Sequence, residues 1–293
     1  MNSTQYSKPK PRSRSHPRDY ESYQKYFLFS PLEVIRKTFA ATTQYARSGW
    51  IMGYIYNTHR APFPALNIAR RHEPVATDTI YSDTPAVDDG STCAQFFTGL
   101  DTKFYNVYGM KTDADFARTL MDMIRKRGAM DKLVSDKAQA EISQKVKDIL
   151  RHLIIDDWQS ETNYQHQNEA ERHYRHVKEQ VNTILNTSGT PADCWLLCLK
   201  YICFIFNRMA LESLKWRNPH EALTGTTPDI SMIYRFHFYD RVYVKRDETT
   251  AGRRFPSESD EMAGRFIGFS EHVGHQMIYA ILTEDTNKII YRS

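Results

Sequence analysis

The sequence has few of the features that mark secreted or membrane-spanning proteins. Four cysteines occur among 293 residues, and three of them cluster at positions 194, 198 and 203. They are too few and too clustered for a disulfide framework, which favours a reducing compartment. The sequence contains no run of about 18 apolar residues and no apolar signal-peptide segment. We therefore expect a chain of the nucleus or cytoplasm, with no secretory or transmembrane segment and no membrane partner.

Several catalytic signatures are also missing. There is no glycine-rich phosphate loop of the P-loop or dinucleotide-binding kind, and no G-x-S-x-G elbow. His173 and His176 have no serine or cysteine nucleophile placed beside them in the sequence. The cysteines at 194, 198 and 203 lie in an apolar helical segment, so we expect buried side chains and not zinc ligands. These absences argue against nucleotide hydrolysis, acyl transfer and a small-molecule substrate.

What is present is the composition of a globular protein. Hydrophobic residues make up 41% of the chain and charged residues 25%. This balance excludes wholesale disorder, and the length suggests one or two domains with a substantial core.

The charge is distributed unevenly. Residues 1–75 carry 12 basic and 4 acidic side chains, a net +8, whereas residues 76–215 carry a net −3 and residues 216–293 a net −1. Residues 8–18 are basic and proline-rich, which is typical of a solvated arm that contacts phosphates, serves as a nuclear address or is simply a soluble tail. We predict three regions: a basic N-terminal arm and helix (1–75), a core (76–215), and a connector with a small β module (216–293).

Periodicity predicts the order β-β-β-α-β-α-β-α-α across the core. Short β-type runs are expected at 79–83, 93–98, 104–108, 131–135 and 152–155, and the two last helices at 168–185 and 191–209. Further short strands are expected at 241–244, 265–268, 277–282 and 288–291. This order indicates an α/β fold with a five-stranded mixed sheet flanked by helices, a helical N-terminal region and a small β-rich C-terminal module.

Three acidic residues stand at the ends of predicted elements. Asp83 ends the first predicted strand, Asp136 follows the fourth, and Glu171 lies in the first turn of the helix at 168–185. Strands one and four are neighbours in some mixed sheets, so their terminal carboxylates can converge with that of a crossing helix. Converging carboxylates suit hard divalent cations. Taken one at a time, each acidic residue is equally well explained as a turn former or helix cap.

Local words in the sequence resemble the integrases of Ty1/copia-type LTR retrotransposons. Residues 167–172 read QNEAER, similar to that family's QN-x-AER segment, and residues 134–136 read VSD, where the family has its strand-end SD. The gaps from Asp83 to Asp136 and from Asp136 to Glu171 resemble a D,D-35-E arrangement. Residues 207–229 resemble the family's NR … P-E-x-x-x-G … P-D connector, and residues 266–279 its F-x-G-[YF]-S … G-Y tail.

This resemblance implies an RNase H-like core and a metal-dependent polynucleotidyl transferase. Asp83, Asp136 and Glu171 would be both the catalytic and the metal-binding residues, and two Mg²⁺ or Mn²⁺ ions would be the cofactors. The activity would be 3′-end processing of DNA followed by strand transfer, with element ends and target DNA as partners and a homo-oligomer as the assembly. Arg175, Lys178 and Lys137 would contact DNA; Arg175 and Lys178 stand on the helix face of Glu171.

The sequence also departs from the family pattern. Lys137 and Ala138 stand where the family has Asn and Gly after the second Asp, and the N-terminal zinc-binding module is absent. A lysine beside a metal site competes with the cation. An alternative is therefore a catalytically degenerate copy that acts only in DNA binding or assembly. A ribonuclease-H-type nuclease is a third reading, although it would need neither the connector nor the tail.

Overall fold

The structure is a computed structural model that describes residues 18–45, 67–135, 143–159, 169–245, 261–271, 273 and 277–293. Its central element is a five-stranded sheet in the order β3-β2-β1-β4-β5. The strands are β1 Pro74–Tyr81, β2 Cys93–Gly99, β3 Tyr105–Met110, β4 Lys132–Ser135 and β5 Asp156–Gln159. The first three form an antiparallel meander, whereas β4 and β5 run parallel to β1.

Six α-helices lie within the described ranges. Their bounds are α1 Leu32–Ala41, α2 Phe116–Arg127, α3 Gln144–Leu153, α4 Glu169–Ser188, α5 Trp195–Phe206 and α6 Pro219–Thr224. α5 is apolar on nearly every side and is almost wholly buried. A helix with this composition is stable only inside a core, and α5 accordingly packs between β3, α4 and the second sheet.

The two faces of the large sheet bury different side chains because neighbouring strand residues point to opposite faces. Phe96 of β2 faces the cluster that contains α4 and α5, and Phe97 faces the cluster that contains α2 and α3. Both phenylalanine side chains are completely buried. Helices therefore cover the sheet on both faces.

A second sheet lies near the C-terminus. It is antiparallel in the order β6-β7-β8-β9, with β6 Arg241–Lys245, β7 Glu261–Phe269, β8 Tyr279–Thr283 and β9 Ile289–Arg292. Phe266 of this sheet, Tyr201 of α5 and Phe39 of α1 belong to one continuous apolar cluster. The N-terminal helix and the second sheet thus share a core with one face of the large sheet. The predicted boundaries after residues 75 and 215 stay predictions.

The predicted fold class is confirmed: an α/β fold with an RNase H-like five-stranded mixed sheet flanked by helices, and a separate β sheet near the C-terminus. Two strand positions were predicted wrongly. β1 begins at Pro74 and ends at Tyr81, several residues before the predicted 79–83. Residues 152–153 belong to α3, and β5 begins at Asp156 after Ile154, which takes a left-handed conformation as the helix cap.

Candidate functional site

The first turn of α4 lies directly on the two central parallel strands. Ala170 is completely buried and forms a small apolar cluster with Ala76 of β1 and Val134 of β4. Ala76 and Val134 are paired across the parallel ladder. Small side chains at all three positions let the helix backbone approach the sheet closely. The residues next to Ala170 on α4 are therefore held above the β1–β4 junction.

Asp78 is the acidic residue that β1 contributes to this junction. It stands two positions after Ala76, so both side chains leave the same face of the sheet. Tyr174, one turn after Ala170 on α4, feels this carboxylate: burial first, and then the negative charge of Asp78, raise the Tyr174 pKa to about 12. Asp78 is half-buried. The structure thus brings an aspartate of β1 beside the helix that carries Glu171.

Glu171 follows Ala170 and is partly exposed. Its Oε1 lies 3.6 Å from Nη2 of Arg175, one turn further along α4. Such exposed i,i+4 pairs contribute roughly 0.3–0.5 kcal/mol, so this pair does not lock the carboxylate in place. Arg175 and Lys178 are exposed on α4, as the sequence predicts. A cation or phosphate approaching the helix can compete for both partners of the pair.

The opposite side of α4 is anchored to the core. The Tyr105 hydroxyl on β3 lies 3.0 Å from Nδ1 of His173, and the His176 ring centroid lies 5.2 Å from that of Phe206. These contacts fix how α4 is rotated about its axis. The face that carries Glu171 is thereby directed away from α5.

Asp83 lies outside β1, in an exposed bend two residues after the strand ends. The adjoining Thr84 carbonyl accepts a hydrogen bond of 2.8 Å from the Trp195 indole at the start of α5. Five extended residues separate Asp78 from Asp83, which corresponds to roughly 17 Å of chain. The assignment of Asp83 to the site stays a prediction.

Two further predicted residues, Asp136 and Lys137, lie outside the described residues. The description of this part of the chain stops at Ser135, which is buried and ends β4. In the sequence, Asp136 follows Ser135 directly. Its assignment to the site therefore stays a prediction, as does that of Lys137.

The donor chemistry of the junction fits hard divalent cations in part. Asp78 and Glu171 supply carboxylate oxygens, the ligands that Mg²⁺ and Mn²⁺ prefer. No group of three or more acidic, histidine or cysteine side chains is close enough to hold a metal in the part of the chain that the structure describes. The two carboxylates need a third donor from another segment, and Asp136 is the predicted one.

Asp78 was missed because the strand was placed too late in the sequence. Thr79, Ile80 and Tyr81 have high β-propensity and drew the predicted strand toward Asp83, although Val75 and Ala76 already belong to it. Aspartate is rare inside strands. An acidic residue in the middle of a central, buried strand is the signal that points to Asp78.

Searches of known proteins give similarity at the level of structure. No protein-family model and no curated protein matches the sequence. The structure is similar to the catalytic core domain of BIV integrase, with 12% identity, a TM-score of 0.40, and coverage of 52% of this chain and 94% of that one. The HTLV-2 integrase catalytic core domain in complex with magnesium (trimeric form) gives 12%, 0.41, 53% and 97%.

A longer match is to the simian T-cell lymphotropic virus intasome in complex with PP2A regulatory subunit B56 gamma. It has 12% identity and a TM-score of 0.42, and it covers 76% of this chain and 79% of that one. At such identities and scores the similarity concerns the chain path alone. In addition, no described helix has the length and apolar character needed to cross a bilayer. The structures similar to this chain are integrases, and their fold is the α/β fold described above.

Proposed function

We propose that this chain is an integrase-type polynucleotidyl transferase of Ty1/copia kind that joins DNA ends by metal-dependent phosphoryl transfer. The observation that carries the proposal is the packing of Ala170 against Ala76 and Val134. This contact holds the first turn of α4, with Glu171, over two adjacent parallel strands. One of these strands carries Asp78, and the other is followed in the sequence by Asp136.

The proposed metal-binding set is Asp136, Glu171 and a first carboxylate from the β1 region. The sequence predicts Asp83 for the third role. The position of Asp78 on the strand, on the same face as Ala76 and within the field felt by Tyr174, favours Asp78 over Asp83. Both assignments are kept because they give different results in the experiment below.

When bound, two Mg²⁺ or Mn²⁺ ions would polarise the attacking water or 3′-hydroxyl and stabilise the leaving oxygen. The protein side chains hold and orient the reactants. Glu171 is free to turn toward a cation because its pair with Arg175 is weak. Arg175 and Lys178 project from the same exposed helix face, where they would contact backbone phosphates of a DNA end, and Lys137 would add a third contact.

The proposed partners follow from this chemistry. They are the DNA ends of the element, the target DNA and further copies of the chain in a homo-oligomer, in the nucleus or cytoplasm. Phosphate contacts of this type carry no sequence information, so base recognition would need other residues.

The second candidate is a degenerate copy that binds DNA without joining it. Lys137 directly follows Asp136 in the sequence, where its ammonium group can replace a cation. This candidate keeps the phosphate contacts of Arg175 and Lys178 and loses the metal. The two candidates therefore make the same prediction for DNA binding and opposite predictions for joining.

The deciding experiment is strand transfer on a labelled blunt DNA duplex with Mg²⁺ or Mn²⁺. Glu171→Gln, Asp78→Asn and Asp83→Asn are compared with Glu179→Gln, a control at an exposed position on the same helix. Loss of a direct metal ligand is expected to lower the joining rate by at least about 100-fold, because even outer partners of metal sites cost 10- to 100-fold.

We expect that Glu171→Gln and Asp78→Asn abolish joining, whereas Asp83→Asn and Glu179→Gln leave it within twofold. Loss in Asp83→Asn with activity retained in Asp78→Asn would restore the first assignment. Salt-sensitive DNA binding without joining by the unmodified protein, unaffected by Glu171→Gln, would establish the degenerate copy.

A further inference from the structure

A groove of about 480 Å³ runs along the outer edge of β3. Five consecutive residues, from Tyr105 to Gly109, line it, as expected when the edge of the strand itself forms the floor. α5 forms an apolar wall with Leu197 and Phe204, and α2 forms a charged wall. β3 is at the end of the sheet order, so β2 is its only described strand partner.

The backbone groups of β3 alternate between β2 and the groove. Tyr105 pairs with Asn207 instead of β2: its N–H donates to the side-chain Oδ1 and its carbonyl accepts from Nδ2, both at 2.8 Å. Tyr105 is therefore an outward-facing position. Since the pattern of an antiparallel ladder repeats every two residues, Val107 and Gly109 also face outward.

Asn207 acts as a short substitute for a missing strand. Its amide makes the same pair of hydrogen bonds that a neighbouring backbone would make, at one position only. The N–H and C=O groups of Val107 and Gly109 have no hydrogen-bond partner among the residues that the structure describes. An unpaired strand edge of this kind is a template for another extended chain.

The two ends of the groove differ. Near Tyr105 it is closed by Glu271, which binds both Arg127 and Arg208. Near Gly109 it is acidic: a Cβ at Gly109 would lie 2.9 Å from Oδ2 of Asp89. Asp89 is exposed, so a cation entering at this end can reach its carboxylate.

We propose that the edge of β3 is a docking site for an extended peptide of a partner protein, which adds as a sixth strand beside Val107 and Gly109. The peptide would present apolar side chains at alternate positions toward Leu197 and Phe204, and a lysine or arginine at the Gly109 end toward Asp89. Free backbone N–H and C=O groups at strand spacing recognise a peptide backbone, and an acidic end opposes nucleic acid. This inference is independent of the proposed catalytic function.

The test uses the full-length protein and a fluorescein-labelled hexapeptide, Lys-Val-Thr-Val-Thr-Val. Fluorescence anisotropy gives the dissociation constant, and amide hydrogen exchange by NMR follows Val107 and Gly109. In the free protein these two amides are expected to exchange rapidly while those of Asn106 and Tyr108 are protected by β2. The peptide is expected to bind with a dissociation constant below about 1 mM and to protect Val107 and Gly109.

Two matched comparisons separate backbone pairing from nonspecific adhesion. Val107→Pro removes an outward N–H and leaves the ladder to β2, whereas Val107→Ala keeps that N–H. We expect binding to weaken at least about tenfold in Val107→Pro and to stay within twofold in Val107→Ala. Should Val107→Pro misfold, a peptide methylated at every valine and threonine nitrogen tests the same bonds on the unmodified protein, with the same loss expected.

Equal binding by the methylated peptide, or no protection of Val107 and Gly109 at millimolar peptide, would overturn the proposal. So would protection in the free protein. If that protection rises with protein concentration, a second copy occupies the edge. If it is independent of concentration and disappears when residues 1–17 are deleted, the chain's own basic arm occupies it.

Discussion

Ala170 of α4 and Ala76 of β1 are both completely buried, and they pack against each other at the junction of the two central parallel strands. This contact sets the height of the helix above the sheet. It therefore also sets how far Glu171, the next residue on α4, stands from the carboxylate of Asp78.

Enlarging this contact should separate helix and sheet. We expect Ala170→Leu to lower the free energy of unfolding by about 1–3 kcal/mol, because a closely packed interface has no room for three more carbons. Urea unfolding followed by circular dichroism gives the value. Asn182→Leu, at an exposed position of the same helix, is the control and should change stability by less than about 0.5 kcal/mol. Equal effects of the two variants would mean that α4 does not press on β1.

The exposed cations of α4 should contribute to DNA binding through charge alone. We expect Arg175→Ala and Lys178→Ala each to weaken binding to every duplex sequence and to reduce the slope of log K against log salt by about 1. Fluorescence anisotropy at several salt concentrations measures both quantities. Lys145→Ala removes an exposed lysine from α3 and serves as the control. An effect of Lys145→Ala as large as the others would indicate a diffuse attraction with no preferred face.

Glu271 joins the second sheet to the large domain through two arginines. Burial alone would raise its pKa, but Arg208 and then Arg127 hold the pKa at about 2. Since this pKa lies below that of the unfolded chain, the stabilisation is complete above about pH 4.5 and is lost as the pH falls toward 2.

Removing this carboxylate should leave two arginines without their partner. We expect Glu271→Gln to lower the free energy of unfolding by about 2–4 kcal/mol at pH 7, and by much less at pH 2. Urea unfolding at both pH values measures the difference. Glu284→Gln, which removes an ion-paired carboxylate of the second sheet, is the matched control and should cost less than about 1 kcal/mol. A loss for Glu271→Gln that is the same at both pH values would contradict the ion-pair explanation.

His220 in the first turn of α6 should make the fold sensitive to mild acid. Burial first, and then the charge of Arg208, lower its pKa to about 4. The unfolded chain binds a proton to this ring below about pH 6.5 and the folded chain does not, so stability is complete above pH 6.5 and falls as the pH drops toward 4.

We therefore expect His220→Gln to flatten the decline of stability between pH 6.5 and 4. Urea midpoints at intervals across this range provide the measurement. His152→Gln, which removes an exposed histidine from α3, should leave the slope unchanged. An unchanged slope in His220→Gln would show that another group is responsible for acid sensitivity.

The sequence by itself determined the architecture. Alternating apolar residues in β2 and β3, helical spacing in α2 and α4, and the continuous apolar run of α5 predict their elements because each pattern matches the period of one backbone conformation. The order of these elements then permits few arrangements, and the mixed sheet is among them. The sequence likewise placed Glu171, Arg175 and Lys178 on one helix.

Tertiary structure decided which residues meet. The bounds of β1 depend on its ladders with β2 and β4, so only the paired sheet shows that the strand begins at Pro74 and that Asp78 lies within it. The start of β5 depends on the left-handed turn at Ile154, a conformation that no local propensity indicates. The pairing of Asn207 with Tyr105 joins residues about a hundred positions apart. Such contacts form only when distant segments pack together, which is why local patterns could not predict them.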